Sequence, residues 1–169
     1  MAGPAAEPGV VLRVATAADL GFVHDAERRP GYEWLTGQWS RDEHAAMFAR
    51  ADTRYLIAAH PGADPQGFVI LQPLSDQHEG TKLKRVVVVD PGRGFGQSML
   101  RATFDWVFAA TDSARLWLDV FTDNERARRA YRHVGLREDG VLRQAYRMPD
   151  GSRADRIIMS LLRSEWPPP

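Results

Sequence analysis

The chain has 169 residues, which is enough for one domain that buries about two-thirds of its unfolded surface, so a second full domain is not expected. Lys plus Arg and Asp plus Glu are both 22, and this zero net charge gives no electrostatic reason to expect nucleic acid or a membrane surface as a partner. The absence of cysteine excludes disulfides, thiolate nucleophiles and cysteine-ligated zinc, and the histidines show no metal-binding spacing, so no metal is expected. With no signal-peptide pattern and no apolar run of membrane-spanning length, the sequence predicts a cytoplasmic protein.

The predicted domain covers residues 10–165, and the Ala-, Gly- and Pro-rich stretch 1–9 and the end 166–169 are predicted to be flexible. A β-branched run predicts the first strand at 10–15. A helix is expected to start at Thr16 or Asp19 and to reach about residue 28.

The next elements are a helix and two strands. Ser40 followed by Glu43 is a capping-box pattern, which predicts a helix that runs to about residue 50. The apolar runs 54–60 and 67–74 are joined by a Pro- and Gly-rich link and predict an antiparallel hairpin.

A strand, a helix and a strand follow with short links. The run 82–89 predicts the fourth strand, apolar residues at helical spacing predict a helix over 95–110, and 115–121 predicts the fifth strand. Such a unit predicts that the fourth and fifth strands are parallel, with a right-handed crossover.

The last elements are one helix and one hairpin. Thr122 with Glu125, or Asp123 alone, is predicted to cap a helix that continues through residue 133. The runs 141–148 and 153–162 flank a turn sequence and predict a hairpin. The expected fold is therefore α/β (α+β), with a mixed, mostly antiparallel sheet in a single domain.

The glycine-rich turn PGRGFG at 91–96 lies between the fourth strand and the following helix. Bare glycines before a helix start present backbone N–H groups and the positive end of the helix dipole, which suits a phosphate. The pattern is neither a Rossmann GxGxxG nor a P-loop. A purely structural left-handed turn is the alternative.

Two segments resemble the GNAT superfamily of acyl-CoA-dependent N-acyltransferases. The turn fits the family signature at Gly94 and Gly96, although Pro91 replaces the usual Gln or Arg and has no N–H to donate. The second segment, DVFTDNERARRAYRHVGL, matches the family at four positions and carries a conservative Leu at a fifth; these are Asn124, Ala127, Tyr131, Gly135 and Leu136. It looks most like the branch that includes ribosomal-protein N-terminal acetyltransferases.

The resemblance implies acetyl-CoA as co-substrate and helices on both faces of the sheet. The fourth and fifth strands would splay apart, so that the pantetheine arm pairs with the strand edge and a backbone N–H near Val88 stabilises the charge on the thioester oxygen. The implied coenzyme-binding residues are Val87, Val88, Val89, Gly92, Arg93, Gly94, Phe95, Gly96, Gln97, Ser98, Asn124 and Arg128. A buried parallel strand alone would also explain the valines.

Tyr131 is the candidate general acid for the departing thiolate, with simple packing as the alternative. Asn124 would anchor the pantetheine arm or cap its helix. The arginines 126, 128 and 129 would meet the adenosine phosphates or form a solvated face.

No carboxylate occupies the fourth strand, so the general base is not assigned. Glu33, His78 and Glu79 are the candidate bases, because their loops would border the acceptor mouth. The candidate acceptor-binding residues are Glu33, Trp34 and Glu79. Phe22, Tyr32, Trp34 and Trp39 would form an acceptor groove or close the core.

The favoured function is direct transfer of an acetyl group from acetyl-CoA to a peptide N-terminus or another small α-amine, because an α-amine is easier to deprotonate than a lysine amine. The alternatives are a non-catalytic acyl-CoA binding module and a nucleotide-binding fold for another cofactor. A homodimer is expected from the resemblance.

Overall fold

The computed structural model describes residues 9–74 and 76–167. Its strands are β1 (Val11–Val14), β2 (Arg54–Ala59), β3 (Gly67–Leu71), β4 (Gly80–Val88), β5 (Arg115–Phe121), β6 (Arg137–Arg147) and β7 (Arg153–Leu162). Its α-helices are α1 (Leu20–Glu27), α2 (Arg41–Phe48), α3 (Phe95–Ala110) and α4 (Glu125–His133), and short 3-10 turns occupy Ala17–Asp19 and Arg163–Glu165.

The strands form one seven-stranded sheet in the order β1-β2-β3-β4-β5-β7-β6. Every neighbouring pair is antiparallel except β4 and β5, which are parallel. The predicted element order and the mixed, mostly antiparallel sheet are thus confirmed. The strands β4 and β5 are parallel because α3 connects them and returns the chain to the end of the sheet at which β4 begins.

Helices cover both faces of the sheet, as expected. Side chains alternate along a strand, so neighbouring valines of β4 contribute to opposite cores. Val87 lies in the core beneath α1, with Tyr55 and Phe68, whereas Val86 and Val88 pack against the larger core beneath α3. Strand β4 is therefore held from both sides by its side chains, and the backbone at its edge stays available.

The start of α4 corrects one prediction. Neither Thr122 nor Asp123 caps this helix; the N-cap is Asn124, whose side-chain oxygen accepts a hydrogen bond from the Ala127 N–H at 3.2 Å. An Asx side chain satisfies the free N–H groups of a helix start in the same way as Ser or Thr. The capping box of Ser40 and Glu43 is present as predicted.

Strand β6 is longer than expected and begins at Arg137 instead of Val141, because its pairing with β7 extends to the pair Arg137 and Ser160. All of its residues are exposed, so apolar patterning could not mark its start. The predicted flexible residues 1–8 and 168–169 lie outside the described residues. Trp166 packs its ring edge-on against Phe104. No helix in the described ranges is long and apolar enough to cross a membrane.

Candidate active site

A cleft opens where β4 and β5 separate. The two strands pair only over their first residues, from Gly80 with Arg115 to Lys82 with Trp117, although β4 continues to Val88. Beyond this point the strands diverge, which confirms the expected splay. The resulting cleft has a volume of about 1080 Å³ and is lined by β4, β5, α4, the turn before α3 and the loop between α1 and α2.

The backbone of Val88 faces this cleft. The N–H of Val89 donates to the carbonyl of Gln66 at 2.8 Å, on the β3 side. Because backbone groups of successive strand residues point to opposite edges, the N–H and C=O of Val88 point away from β3. The Val88 carbonyl accepts a hydrogen bond from the hydroxyl of Tyr32 at 2.6 Å.

The glycine turn forms one end of the cleft. Gly92 and Gly94 have φ of 124° and 79°, values that favour glycine, and Gly94 is the N-cap of α3. A Cβ on Gly96 would lie 3.4 Å from the Val88 side chain, so a glycine lets α3 begin close to β4. The first N–H groups of α3 have no partner within the helix, and they therefore suit an anion at this end.

The predicted coenzyme residues divide into two groups. Those that line the cleft are Val88, Val89, Gly92, Gly94, Gly96, Gln97 and Asn124. The described lining of the cleft does not include the other five, which are Val87, Arg93, Phe95, Ser98 and Arg128. Val87 and Phe95 are buried, with relative exposures of 0% and 6%, and serve the core.

The arginines of α4 separate in the same way. Arg128 is held by Glu125 at 2.9 Å and by Glu138 at 3.0 Å, and it also donates to the carbonyl of Thr122. Arg126 and Arg129 line the cleft instead. The helix therefore presents Arg126 and Arg129 to the cleft, whereas Arg128, like Arg132, forms ion pairs with Glu125 and Glu138.

Tyr131 projects from α4 into the cleft. The pKa of its phenol is raised to about 12, mainly by burial; Arg156 opposes this shift, and Tyr32 and Asp119 add to it. No group in the described ranges forms a hydrogen bond with its hydroxyl. The phenol is therefore protonated at neutral pH and available as a donor inside the cleft.

A charged cluster at the point of strand separation was not predicted from the sequence. Asp119 on β5 contacts the Lys82 Nζ at 2.6 Å and the Arg156 guanidinium at 2.7 Å. These two cations hold the pKa of Asp119 below its usual value although burial acts in the opposite direction. Strand alternation and the parallel pairing of β4 with β5 place Lys82 and Asp119 on one face, but the contribution of Arg156 depends on β7 lying beside β5.

A buried network supports the loop over the cleft. Glu27 is fully buried, and its carboxylate contacts the Arg85 Nε at 3.2 Å and the His44 Nε2 at 3.0 Å. The same carboxylate accepts a hydrogen bond from the Trp39 N–H at 3.1 Å, and Arg85 lies over the Trp39 ring. The network holds the end of the α1–α2 loop against β4.

The predicted acceptor residues Glu33, Trp34 and Glu79 do not belong to the described lining of the cleft. Glu33 is exposed and accepts a hydrogen bond from the Gly31 N–H at 2.8 Å. Trp34 is 57% exposed on the same loop. Glu79 lies at the paired end of β4 and β5, where its carbonyl accepts from the Ala114 N–H.

The aromatic residues of the α1–α2 region divide between the cleft and the core. Tyr32 and Trp39 line the cleft. Phe22 packs edge-on against Phe68 in the core beneath α1. An acceptor groove made by Tyr32 and Trp39 stays a prediction.

The model of the acetyltransferase (GNAT) domain family matches residues 10–137. The chain belongs to this family. The GNAT family comprises acetyl-CoA-dependent N-acetyltransferases, which identifies acetyl-CoA as the acetyl donor and an amine as the acceptor class. Among residues 9–74 and 76–167, no group of three or more His, Asp or Glu could hold a metal ion.

Two curated GNAT relatives differ in acceptor. The [ribosomal protein bS18]-alanine N-acetyltransferase of Haemophilus ducreyi is 35% identical over 97 residues, which cover 56% of this chain and 63% of that protein. The match thus spans less than two thirds of that relative. The spermidine N(1)-acetyltransferase of Vibrio cholerae is 20% identical over 169 residues, which cover 93% of this chain and 95% of that protein.

A solved structure shows the same fold. The Vibrio cholerae spermidine N-acetyltransferase in complex with CoA and spermine has a TM-score of 0.80 at 20% identity, and the match covers 92% of this chain and 96% of that chain. At this identity the likeness shows a common fold over most of the chain.

Proposed function

We propose that this GNAT protein transfers an acetyl group from acetyl-CoA to the α-amine of a peptide N-terminus or a small amino-acid-like acceptor. The observation that carries the proposal is the open edge of β4, where the Val88 backbone shares one cleft with the Tyr131 phenol. The amine nitrogen attacks the thioester carbonyl directly. A C–N bond forms and the C–S bond breaks, while the amine loses a proton and the coenzyme A thiolate gains one.

The coenzyme would lie along β4. Its pantetheine amides would pair with the free backbone of the β4 edge around Val86, as an added strand does at a sheet edge. Its phosphates would meet the N–H groups at the start of α3, with Arg126 and Arg129 nearby on α4. Pro91 removes one N–H donor from this turn, but the N–H groups that follow it remain.

Two groups would stabilise the charge that develops during transfer. The Val88 N–H points into the cleft and would donate to the oxygen of the tetrahedral intermediate. The Tyr131 hydroxyl would donate to the sulfur as the C–S bond breaks. Tyr32 donates a hydrogen bond to the Val88 carbonyl at 2.6 Å and would thereby hold the β4 edge in position opposite Tyr131.

The charges of the cleft favour an α-amine. Asp90 and Asp119 are the acidic residues in its described lining, and Asp119 is neutralised by Lys82 and Arg156. Without a strong base the amine must lose its proton to water, which costs about 4.6 kcal/mol at pH 7 for an amine of pKa 10.4 and about 1 kcal/mol for an α-amine of pKa 7.8. The acceptor of the Haemophilus ducreyi relative, an alanine of a ribosomal protein, is consistent with this preference.

Thiol release from acetyl-CoA tests the proposal. The acceptor panel contains peptides with free N-termini, free amino acids, polyamines and aminoglycosides, and coenzyme binding is measured on the same sample. We expect turnover with α-amines; faster acetylation of polyamines or lysine side chains would contradict the acceptor class. Sedimentation of the same sample tests the expected homodimer.

A non-catalytic acyl-CoA binding module is the second candidate, because Asp119 is paired with Lys82 and Arg156 and Pro91 removes one N–H donor from the phosphate turn. Such a module would bind acetyl-CoA without releasing thiol for any amine. Its affinity would also be unchanged by removal of the Tyr131 hydroxyl.

A further inference from the structure

One wall of the cleft is strongly basic. The described lining contains seven Lys and Arg residues and two acidic ones; the basic residues are Arg29, Lys82, Lys84, Arg85, Arg126, Arg129 and Arg156. The two lysines are the only lysines in the chain, and both belong to β4. Two of the arginines, on α4, are assigned above to the coenzyme, which leaves five cations on the remaining wall.

These cations lie on the face of the sheet opposite α3 and α4. Lys82 stacks on Trp117 with its Nζ 4.5 Å from the ring centre, and Arg85 stacks on Trp39 of the α1–α2 loop. The leucines 116 and 118 of β5 enter the core beneath α3, so the alternating residues Trp117 and Asp119 face the other side. If the coenzyme enters along α3 and α4, as proposed above, the amine approaches from this opposite face.

The carboxylates of this wall do not balance its cations. Asp119 is shared between Lys82 and Arg156, and Glu27 is occupied by Arg85. The guanidinium Nε of Arg156 is buried and has no hydrogen-bond partner among the described residues. Arg156 is held in place by stacking on Phe121, at 4.3 Å from the ring centre, so this donor is oriented before any ligand binds.

Lys84 is a partly buried cation of this wall. It is the extra residue of a β-bulge, because Leu71 pairs with Leu83 while the neighbouring Ile70 pairs with Arg85. No carboxylate in the described ranges forms an ion pair with Lys84. Burial lowers the pKa of its amine, the charges of Lys82, Arg85 and Arg156 lower it further, and the charge of Asp119 opposes them. An anion bound here would relieve this repulsion.

We propose that Lys84 and Arg156 bind a carboxylate carried by the acceptor, so that the preferred substrate is a primary amine with a carboxylate close to it. A free amino acid and a peptide with an acidic residue near its N-terminus both present this chemistry. The inference rests on the proposed function, because it assumes that the amine enters from the basic wall.

The basic wall also predicts which amines are rejected. A polyamine carries several positive charges, and the described lining offers it only Asp90 and the already paired Asp119. Placing like charges together without compensating carboxylates is unfavourable in a partly desolvated cleft. This chain therefore differs in acceptor from the spermidine acetyltransferase of the same fold.

The test compares acceptors with and without the carboxylate at equal concentrations of the neutral amine, because a nearby carboxylate raises the pKa of the α-amine. A set of L-amino acids is supplied both as free acids and as α-amides, and dipeptides with Glu at the second position are compared with their Gln counterparts. We expect kcat/KM for the carboxylate form to exceed that for the amide at least about tenfold, the size of one charge-assisted contact. The free acids and the dipeptides distinguish the two sources of the carboxylate.

Substitutions then test whether Lys84 causes the preference for the carboxylate form. Lys84→Met should reduce the preference for the carboxylate to about twofold or less, and Lys84→Arg should retain most of the preference. Arg50→Met is the matched control, since Arg50 is exposed, pairs with Asp52 at 2.9 Å and lies outside the cleft lining. Thermal melting of each variant verifies that it is folded.

A binding measurement makes the test independent of turnover. Calorimetry on the CoA-loaded protein compares an N-acetyl amino acid with its amide, in the original chain and in Lys84→Met. Tighter binding of the carboxylate form, lost in Lys84→Met, supports the inference. Equal binding of both forms overturns it, as does equal or faster turnover of amides or spermidine. Absence of turnover on every amine, with the carboxylate still bound, would refute the proposed enzyme and leave the anion site standing.

Discussion

Replacing Tyr131 by Phe is the sharpest test of the catalytic arrangement, because it removes one hydroxyl and leaves the packing of α4 in place. The pKa of this phenol is about 12, whereas a thiol has a pKa near 8.5. Complete proton transfer from the phenol to the thiolate is therefore uphill by about 5 kcal/mol. Tyr131 should act by donating a hydrogen bond to the sulfur as negative charge develops, while water supplies the final proton.

A hydrogen bond to a charged group is worth about 1.5–3 kcal/mol, which corresponds to about a 10- to 150-fold change in rate. We expect Tyr131→Phe to lower kcat by this factor, because the bond is made as charge develops in the transition state. Coenzyme affinity should change by less than about twofold, since the ground-state thioester gains little from the donor. Thiol release under saturating acetyl-CoA measures the first quantity, and calorimetric binding of coenzyme A measures the second.

The pH dependence provides a second readout for this variant. A phenol with a pKa near 12 stays protonated up to about pH 10, so the shapes of the two pH–rate profiles should coincide below that pH. An unchanged kcat in Tyr131→Phe would refute the role of the hydroxyl. A basic limb near pH 9 that is present in the original chain and lost in the variant would instead indicate full proton transfer from a more acidic phenol.

Three further substitutions test interactions that stabilise the fold. Glu27→Ala should lower the free energy of unfolding by about 3–5 kcal/mol, because it leaves the partly buried charge of Arg85 without its carboxylate. Chemical denaturation measures this free energy, and a loss below about 1 kcal/mol would contradict the prediction. Asn124→Ala should cost about 1 kcal/mol of stability through loss of the α4 cap, and an equal coenzyme affinity in the same variant would show that capping is the only role of this side chain. The pKa of Asp19 is lowered to about 2 by Arg13, so the ion pair of these residues stabilises the fold above about pH 4 and is lost as the pH falls towards 2. Asp19→Asn should lower the free energy of unfolding by about 1–2 kcal/mol at pH 7. It should also reduce the loss of stability between about pH 4 and pH 2 in a series of denaturation measurements.

The sequence by itself determined most of the fold, because the signals that specify it are local. The helix at 95–110 and the strand at 115–121 have the bounds that were predicted from their periodicity. The parallel pairing of β4 with β5 followed from the short links around that helix. The glycine turn and the Tyr131 segment also lie on continuous stretches of chain, so the coenzyme end of the cleft could be proposed before the fold was known.

Tertiary structure alone decided the acceptor side of the cleft. Lys82, Asp119 and Arg156 come from three strands, and they meet only because β7 inserts beside β5 in the sheet. The bond from the Tyr32 hydroxyl to the Val88 carbonyl joins residues 56 positions apart, through a loop with no periodic pattern. Local propensity is set by neighbours within a few residues, whereas these contacts depend on sheet order, strand register and loop path. For this reason the sequence identified the donor of the acetyl group, while the chemistry of the acceptor is inferred from side chains that the folded chain brings together.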